Sequence, residues 1–339
     1  MAGSETWLTL MPFPTLHANE PPRLHLAQLP TPIVPLKNLS AGQPLLMKRD
    51  DLTGLEVSGN KIRKLEYVVA DALAKGADTL VTHGGFQSNH CRATAAVAAR
   101  LGLRCRLLLR SPERPANDGN LFLDQLFGAE ISLHPPAEYA ERKPELIERA
   151  MAEERAAGRT AYFFPVGASI PLGCWGYARC FEEILSQLGR EMVDLFVPVS
   201  SSGTIAGLIL GRALTGGKHV RVVGIPVSDS VEFFRKDVRQ LIDETVSEYH
   251  LGLTPEQTPI ELMEGYIGDG YAIPTPRAIE TIRLVARREG ILLDPTYTGK
   301  AMVGFLDAAR SAGVRAGATA VFVHTGGAFG LMARRDLFE

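Results

Sequence analysis

Cysteine is scarce and unpatterned. The 339 residues hold 4 cysteines, Cys91, Cys105, Cys174 and Cys180, with no CxxC pair and no zinc-ligand spacing, so no metal site is expected. The opening MAGSETWLTLMPFPTLHANEPP has no basic stretch followed by an apolar core and does not read as a signal peptide. Without a secretory signal, four reduced thiols and a cytoplasmic location are expected, and the sequon Asn38-Leu39-Ser40 is a chance match. The prolines and absent periodicity of residues 1–22 predict a loosely ordered arm. No apolar run approaches the roughly 18–20 residues of a membrane span, so no membrane partner is expected. Charge of one sign is also lacking. Lys+Arg 36 against Asp+Glu 38 gives a net −2, a balance that disfavours a general nucleic-acid coat. Internal repeats, heptads and low-complexity tracts are absent.

What is present is ordinary for a soluble globular chain: 45% hydrophobic and 22% charged residues. The length suits one large domain or two medium ones. Glycine (33) and proline (22) are plentiful, as tight loops require. Strand-like and helix-like stretches alternate. Residues 78–83 form an apolar run ending at Gly84-Gly85. An Ala-rich helix follows over 88–101, stopped at Gly102, then a strand over 104–109. The pattern returns as a strand over 195–199, a Ser/Gly loop, a helix through Leu214 and a strand over 220–227. Helices near 276–289 and 300–312 and a strand over 320–323 close the chain, and the charged stretch 136–158 reads as an exposed helix. This alternation predicts an α/β fold with two open, twisted, mostly parallel sheets flanked by helices. In such sheets ligands bind beyond the carboxyl ends of strands. That singles out the loops 84–90, 200–204 and 324–328, all rich in Gly, Ser, Thr or Asn.

Ser200-Ser201-Ser202-Gly203-Thr204 joins a strand to a helix. Backbone N–H groups and small hydroxyls there make an anion site. No Walker lysine is present, and no GxGxxG follows a strand; GYIGDG (265–270) has neither the order nor a preceding strand. A single phosphate monoester fits better, and the plain alternative is an N-cap with a tight turn. Gly84 to His90 (GGFQSNH) likewise enters a helix. Ser88 and Asn89 either cap it or present donors to a carboxylate, while His90 alone reads as a neighbour rather than a base. In SGNKIRKLEY (58–67), Ile62, Leu65, Val69 and Leu73 have helical spacing, which sets Lys61 in the first helical turn. A cation there opposes the dipole preference. Lysine forms Schiff bases with carbonyl cofactors, although most such lysines are simply solvated. Leu293 to Lys300 (LDPTYTGK) and Val323 to Gly327 (VHTGG) each end an apolar run with polar residues; Tyr297 there reads equally as core with a satisfied hydroxyl.

Together these motifs resemble one family. From about Leu29 to Gly330 the chain is similar to the tryptophan-synthase-β-like, fold-type II pyridoxal-phosphate (PLP) enzymes. Within them it is most similar to the branch of D-cysteine desulfhydrase and 1-aminocyclopropane-1-carboxylate deaminase. Lys48-Arg49-Asp50-Asp51, PVGAS with GCWGY (165–177) and GYAIP (270–274) extend the likeness. The resemblance implies that Lys61 carries pyridoxal 5′-phosphate and that Ser200, Ser201, Ser202, Gly203 and Thr204 hold its phosphate. It implies that Asn89 bonds the cofactor's 3′-oxygen and that Thr325 meets the ring nitrogen. Ser88, Asn89 and His90 would receive the substrate carboxylate, with Ser88 also catalytic, and Tyr271 and Tyr297 would line the reacting face. It further implies a smaller domain (64–172) inserted in a larger one (1–63 and 173–339), and a homodimer.

The implied activity is β-elimination on a small amino acid. D-cysteine would give pyruvate, hydrogen sulfide and ammonia. The alternatives are cysteate sulfo-lyase and aminocyclopropane-carboxylate deaminase. The deaminases carry Glu after the tyrosine, where this chain has Thr298. A hydroxyl cannot hold the ring nitrogen protonated as a carboxylate does, which favours elimination over ring opening. Phe86 and SIPLGCWG look closer to plant-type desulfhydrases. A non-catalytic cofactor-binding protein and a nucleotide-binding dehydrogenase are disfavoured, the first by Lys61, Ser88 and Tyr297 together, the second by the missing fingerprint.

Overall fold

The structure is a computed structural model that describes residues 15–40 and 42–339. In chain order the elements are β1 (Ile33–Pro35), β2 (Leu45–Lys48), α1 (Lys61–Ala74), β3 (Thr79–Gly85), α2 (Asn89–Leu101), β4 (Arg104–Arg110) and α3 (Gly119–Leu126). There follow β5 (Glu130–His134), α4 (Pro136–Ala156), β6 (Ala161–Phe163), α5 (Pro171–Leu188), β7 (Val193–Val199), α6 (Gly203–Leu214), β8 (Val220–Pro226) and α7 (Val231–Glu248). The chain ends with β9 (Glu261–Leu262), α8 (Pro276–Glu289), α9 (Thr298–Arg310), β10 (Thr319–Val323) and α10 (Ala328–Met332).

The strands make two sheets. One is six-stranded in the order β1-β2-β10-β7-β8-β9, and the other four-stranded in the order β5-β4-β3-β6. All pairings are parallel except β1 with β2. The expected α/β architecture is therefore observed. Helices cover both faces, so the central strands are mostly apolar; β7 is buried along its whole length, and its one charge, Asp194, is paired with Arg221 and Arg315. Leu195, Val197, Ile205, Leu208, Trp175 and Phe181 form part of the core between the β7 sheet and α5 and α6. Phe196, Phe305, Phe322 and Ile282 pack its other face against α8 and α9. Under α4 a smaller cluster holds Val81, Leu108, Leu146 and Ala150. Every strand of the smaller sheet lies within 64–172, and α1 runs across the first boundary of that segment. No helix among the described residues is long and apolar enough to cross a membrane, and no group of three or more His, Cys, Asp or Glu there could hold a metal. The four cysteines are buried free thiols.

Three sequence expectations change. The arm over 1–22 lies outside the described residues as far as residue 14. Beyond that, Glu20 is pinned by Tyr67 Oη (2.7 Å) and Arg179 Nε (2.7 Å), so this part is anchored rather than loose. Helix α1 is not simply amphipathic. Arg63, Lys64 and Glu66 are as buried as Ile62 and Leu65, whereas Leu73 is exposed. The helix is enclosed on all sides at its start. Finally, the two-residue β9 does precede GYIGDG, but the next helix begins only at Pro276, so no helix N-terminus meets those glycines.

The enclosed charges are paired. Asp50 takes a two-pronged contact from Arg63 (2.8 and 2.8 Å) and hydroxyl bonds from Thr31 (2.7 Å) and Tyr177 (2.6 Å). Burial would raise its carboxyl pKa, but Arg63 beside it outweighs burial and holds it at about 2. Lys48 and Glu183 complete the cluster. The Lys48–Asp51 motif thus fixes the first turn of α1, two residues beyond Lys61.

Candidate active site

Three loops leave the carboxyl ends of β3, β7 and β10, and all three reach one cavity of about 360 Å³ between the sheets. Its walls include Lys61, Ser88, Asn89, His90, Ser200, Ser201, Thr204, Tyr271, Tyr297 and Thr325. The loops can converge because two backbones touch. Gly59 (φ 103°) and Gly326 (φ 93°) face each other, and a Cβ on Gly59 would stand 2.6 Å from the Thr325 carbonyl oxygen. Side chains at either position would force the Lys61 loop and the Thr325 loop apart.

Lys61 is the first residue of α1, after an Asn60 that makes no side-chain cap. Its Nζ bonds Asn60 Oδ1 at 3.2 Å. Burial, helped by Arg92 and opposed by Asp294, lowers its pKa to about 8. About one such amine in ten is then neutral at pH 7, against about one in three thousand for an ordinary lysine. A neutral amine is what attacks a carbonyl.

Two helix N-termini enter the same cavity. Ser88 caps α2, its Oγ accepting from Cys91 N at 3.3 Å. The N–H groups of Asn89 and His90 have no partner among the described residues, as expected for a first helical turn. The ring of His90 is a different matter. Thr82 donates to Phe164 O (2.8 Å), so its oxygen must accept the Nε2–H of His90 (2.8 Å). Nδ1 is then a bare acceptor, and burial holds the imidazole pKa well below its ordinary value. His90 can offer an anion its main-chain N–H, not its ring.

At α6, Gly203 N donates to Ser169 Oγ (3.3 Å), while the N–H groups of Thr204 and Ile205 have no partner among the described residues. Asn60 Nδ2 fixes the Thr204 hydroxyl (2.9 Å). Ser202 turns its hydroxyl to Asp237 and away from the cavity. Lys64 lies beneath this turn. It is fully buried, and its amine has one acceptor among the described residues, Gly167 O at 3.1 Å. Burial, with Lys61 nearby, pushes its pKa well down. A Cβ on Gly203 would come within 3.0 Å of Lys64 Nζ. A phosphate fits here: two free N–H groups, a helix dipole, serine hydroxyls and a buried lysine amine, which a phosphate would hold protonated, meet it. Ser228 Oγ, also in the wall, is buried without a partner among the described residues.

Across the cavity Tyr271 Oη and Tyr297 Oη are 2.7 Å apart, and burial raises both pKa values, so both are neutral phenols. Tyr297 is positioned by Asp294. That buried carboxylate accepts the N–H groups of Thr296 (2.9 Å), Tyr297 (2.9 Å) and Thr298 (2.8 Å) and the Thr298 hydroxyl (2.7 Å). Thr298 is consequently buried against Asp294, and it is Thr325 that faces the cavity.

The small-sheet side contributes residues that the motifs did not signal. Arg110 ends β4 and lies over the Tyr271 ring (5.2 Å to its centroid), and Tyr139 and Lys143 reach in from α4. Val166 N donates to His83 Nε2 (3.3 Å), so His83 gives its Nδ1–H to Tyr139 Oη (2.5 Å). The proton of Tyr139 is left free to donate. Reading the β4 strand one residue further, and α4 as one-sided rather than simply exposed, would have pointed to these groups. Lys64 carries a helical i+3 relation to Lys61, the only signal it had.

The family described as "Pyridoxal-phosphate dependent enzyme" matches residues 24–326. A provisionally named 1-aminocyclopropane-1-carboxylate deaminase of Thermotoga maritima is 44% identical over 92% of this chain and 98% of its own length. D-cysteine desulfhydrase of Yersinia enterocolitica is 41% identical over 92% of this chain and 96% of its own length. The crystal structure of an aminocyclopropane-carboxylate deaminase homologue superposes with a TM-score of 0.87 at 37% identity, covering 96% of this chain and 99% of the other. The chain belongs to the pyridoxal-phosphate dependent enzyme family, with the fold-type II architecture.

Proposed function

We propose that the protein is a carbon–sulfur lyase that eliminates the β-substituent of a small amino acid, D-cysteine in the first instance. Water enters, and pyruvate, hydrogen sulfide and ammonia leave. The observation that carries this reading is the convergence on one cavity of a lysine whose pKa burial lowers and of two helix N-termini that still have free N–H groups. The names of the relatives, desulfhydrase and deaminase, support it.

Lys61 would hold pyridoxal phosphate, with Asn89 at its 3′-oxygen and Thr325 at its ring nitrogen. Its phosphate would rest on Ser200, Ser201, Thr204, the free N–H groups of Thr204 and Ile205, and Lys64. Gly203, whose N–H is taken by Ser169, would serve only by leaving room for the turn. Bound there, the cofactor supplies an electron sink for the carbanion at the substrate Cα. The N–H groups of Asn89 and His90, with Ser88 beside them, would orient the substrate carboxylate. The Lys61 amine, with its lowered pKa, would take the Cα proton as general base. The Tyr271–Tyr297 pair would relay a proton at its hydroxyls to the departing sulfur. The hydroxyl of Thr298 is spent on Asp294, so no acid is available at the position where the deaminases have one, which supports elimination over ring opening.

A second reading, sulfo-lyase action on cysteate, is supported by Arg110, Lys143 and the free proton of Tyr139, three donors on one side of the cavity. They suit an anionic leaving group. The domain division at 63/64 and 172/173 is part of the proposal, as are a cytoplasmic location and a homodimer. Phe122, Leu126 and Met332, exposed on the contacting α3 and α10, are a surface that a second copy would cover.

The test is the 2-oxo acid released by purified, cofactor-loaded protein from D-cysteine, L-cysteine, L-cysteate and aminocyclopropane carboxylate. Pyruvate with sulfide from D-cysteine alone supports the main reading. Pyruvate from cysteate, lost in Arg110→Met, moves it to the sulfo-lyase. 2-Oxobutyrate from the cyclopropane overturns the Thr298 argument. No product from any substrate overturns the substrate assignment.

A further inference from the structure

The amide of Asn89 can present either its oxygen or its nitrogen to the cavity, and its neighbours decide which. Arg92 is buried and can only donate. Its guanidinium is anchored to the carbonyls of Glu56 and Ser58, the latter at 2.8 Å, and its Nε donates to Asn120 Oδ1 at 3.2 Å. That fixes which end of the Asn120 amide is oxygen. Asn120 Nδ2 therefore points the other way, donating to Gln87 O (2.9 Å) and to Asn89 Oδ1 (3.0 Å). Gln87 O is an acceptor only, which enforces the same orientation. With its oxygen occupied, Asn89 must turn its Nδ2–H groups away from Asn120.

We propose that Asn120, fully buried on α3 and outside the cavity, is a positioning residue that locks Asn89 as a hydrogen-bond donor to an anionic ring oxygen of the cofactor. The direction of the relay originates in Arg92 and passes through two amides. The proposal rests on the reading of the cavity as a pyridoxal-phosphate site. A donor held at that oxygen stabilises its negative charge and lowers its basicity, which sets the pH at which the Lys61-linked cofactor changes colour.

Asn120→Asp keeps the shape and a partner for Arg92, but its carboxylate can only accept. Asn89 must then turn its Nδ2 toward the carboxylate and its oxygen toward the cofactor. The visible band of the holoprotein, titrated with pH, should move its midpoint upward by roughly one to two units. Asn120→Ala removes the lock without adding a charge and should move it the same way by less; it stands in if Asn120→Asp does not fold, folding being checked by circular dichroism. In an Asn89→Ala background neither substitution should add a further shift. An unmoved midpoint in the folded variants, or a shift that persists without the Asn89 amide, overturns the relay. A wild-type protein with no visible band overturns the cofactor reading itself.

Discussion

Removing the charge at Lys64 should have opposite effects on the free and the cofactor-bound protein. Lys64 is buried with a single carbonyl partner, and burial depresses its pKa. The unfolded chain then holds a proton that the folded chain releases, so this residue makes folding less favourable as pH falls from its ordinary value. Lys64→Met removes that penalty, and the cofactor-free protein should melt at an equal or higher temperature at pH 6–7, with a flatter pH dependence. The bound state reverses the sign. A phosphate at the start of α6 would meet the ammonium, and an ion pair at ~4 Å gains about 4 kcal/mol per unit charge at an effective dielectric of about 20. Desolvation of both ions returns part of this. The remaining ~2–4 kcal/mol corresponds to a loss of roughly 30- to 1,000-fold in pyridoxal-phosphate affinity. The assay is equilibrium binding of pyridoxal phosphate and of pyridoxal to the cofactor-free protein. Wild type should prefer the phosphate ester strongly, and Lys64→Met should lose most of that preference. Undiminished preference, or a cofactor-free variant that melts many degrees lower, would refute the assignment of Lys64 as a phosphate group partner.

The lowered pKa of Lys61, about 8, makes its neutral fraction rise about tenfold per pH unit and level off above pH 8. The rate of pyridoxal-phosphate capture, followed by stopped-flow absorbance, should trace that curve; a rate still climbing in proportion beyond pH 9.5 would contradict it. Lys61→Ala should abolish both the visible band and turnover, and retained activity would rule out the mechanism. Tyr297→Phe should spare cofactor binding and slow turnover by about 10²-fold or more if its hydroxyl moves a proton; unchanged kinetics would reduce Tyr297 to packing. Asp294→Asn sets an amide against three N–H donors. It should cost about 1–3 kcal/mol in thermal or denaturant unfolding, and, with the Asp294 charge gone, it should move the midpoint of cofactor capture below that of wild type.

Much of the site was legible because its chemistry depends on backbone geometry. Gly-rich loops at strand ends and small polar residues opening a helix are local features. The loops 84–90, 200–204 and 324–328 were therefore identifiable one at a time, and parallel topology brings them to one side. Element boundaries followed the same logic: Ser88 and Gly102 bracket α2, and Pro276 opens α8 as read. The unread parts depend on distant partners. Lys48-Arg49-Asp50-Asp51 has the look of chemistry, yet Asp50 serves Arg63, Thr31 and Tyr177. Nothing local says that a carboxylate followed by a loop will anchor a helix more than ten residues away.

Helix α1 is the clearest case. Its sequence places four apolar side chains on one stripe, and a periodicity argument assigns Arg63, Lys64 and Glu66 to solvent. The fold instead encloses the first turns of the helix, where each charge needs its own partner. Arg63 finds Asp50, and Glu66 finds the N–H groups of Leu26 and Ala27 (2.8 and 2.9 Å). Lys64, among the described residues, finds only a carbonyl. In an enclosed helix an under-partnered ammonium is costly, so the amine tends to give up its proton unless something negative arrives to hold it. The same periodicity that hid Lys64 thus makes it informative once burial is known. Its two paired neighbours are accounted for by the fold, and the charge left over points to the anion that the α6 N-terminus is built to receive.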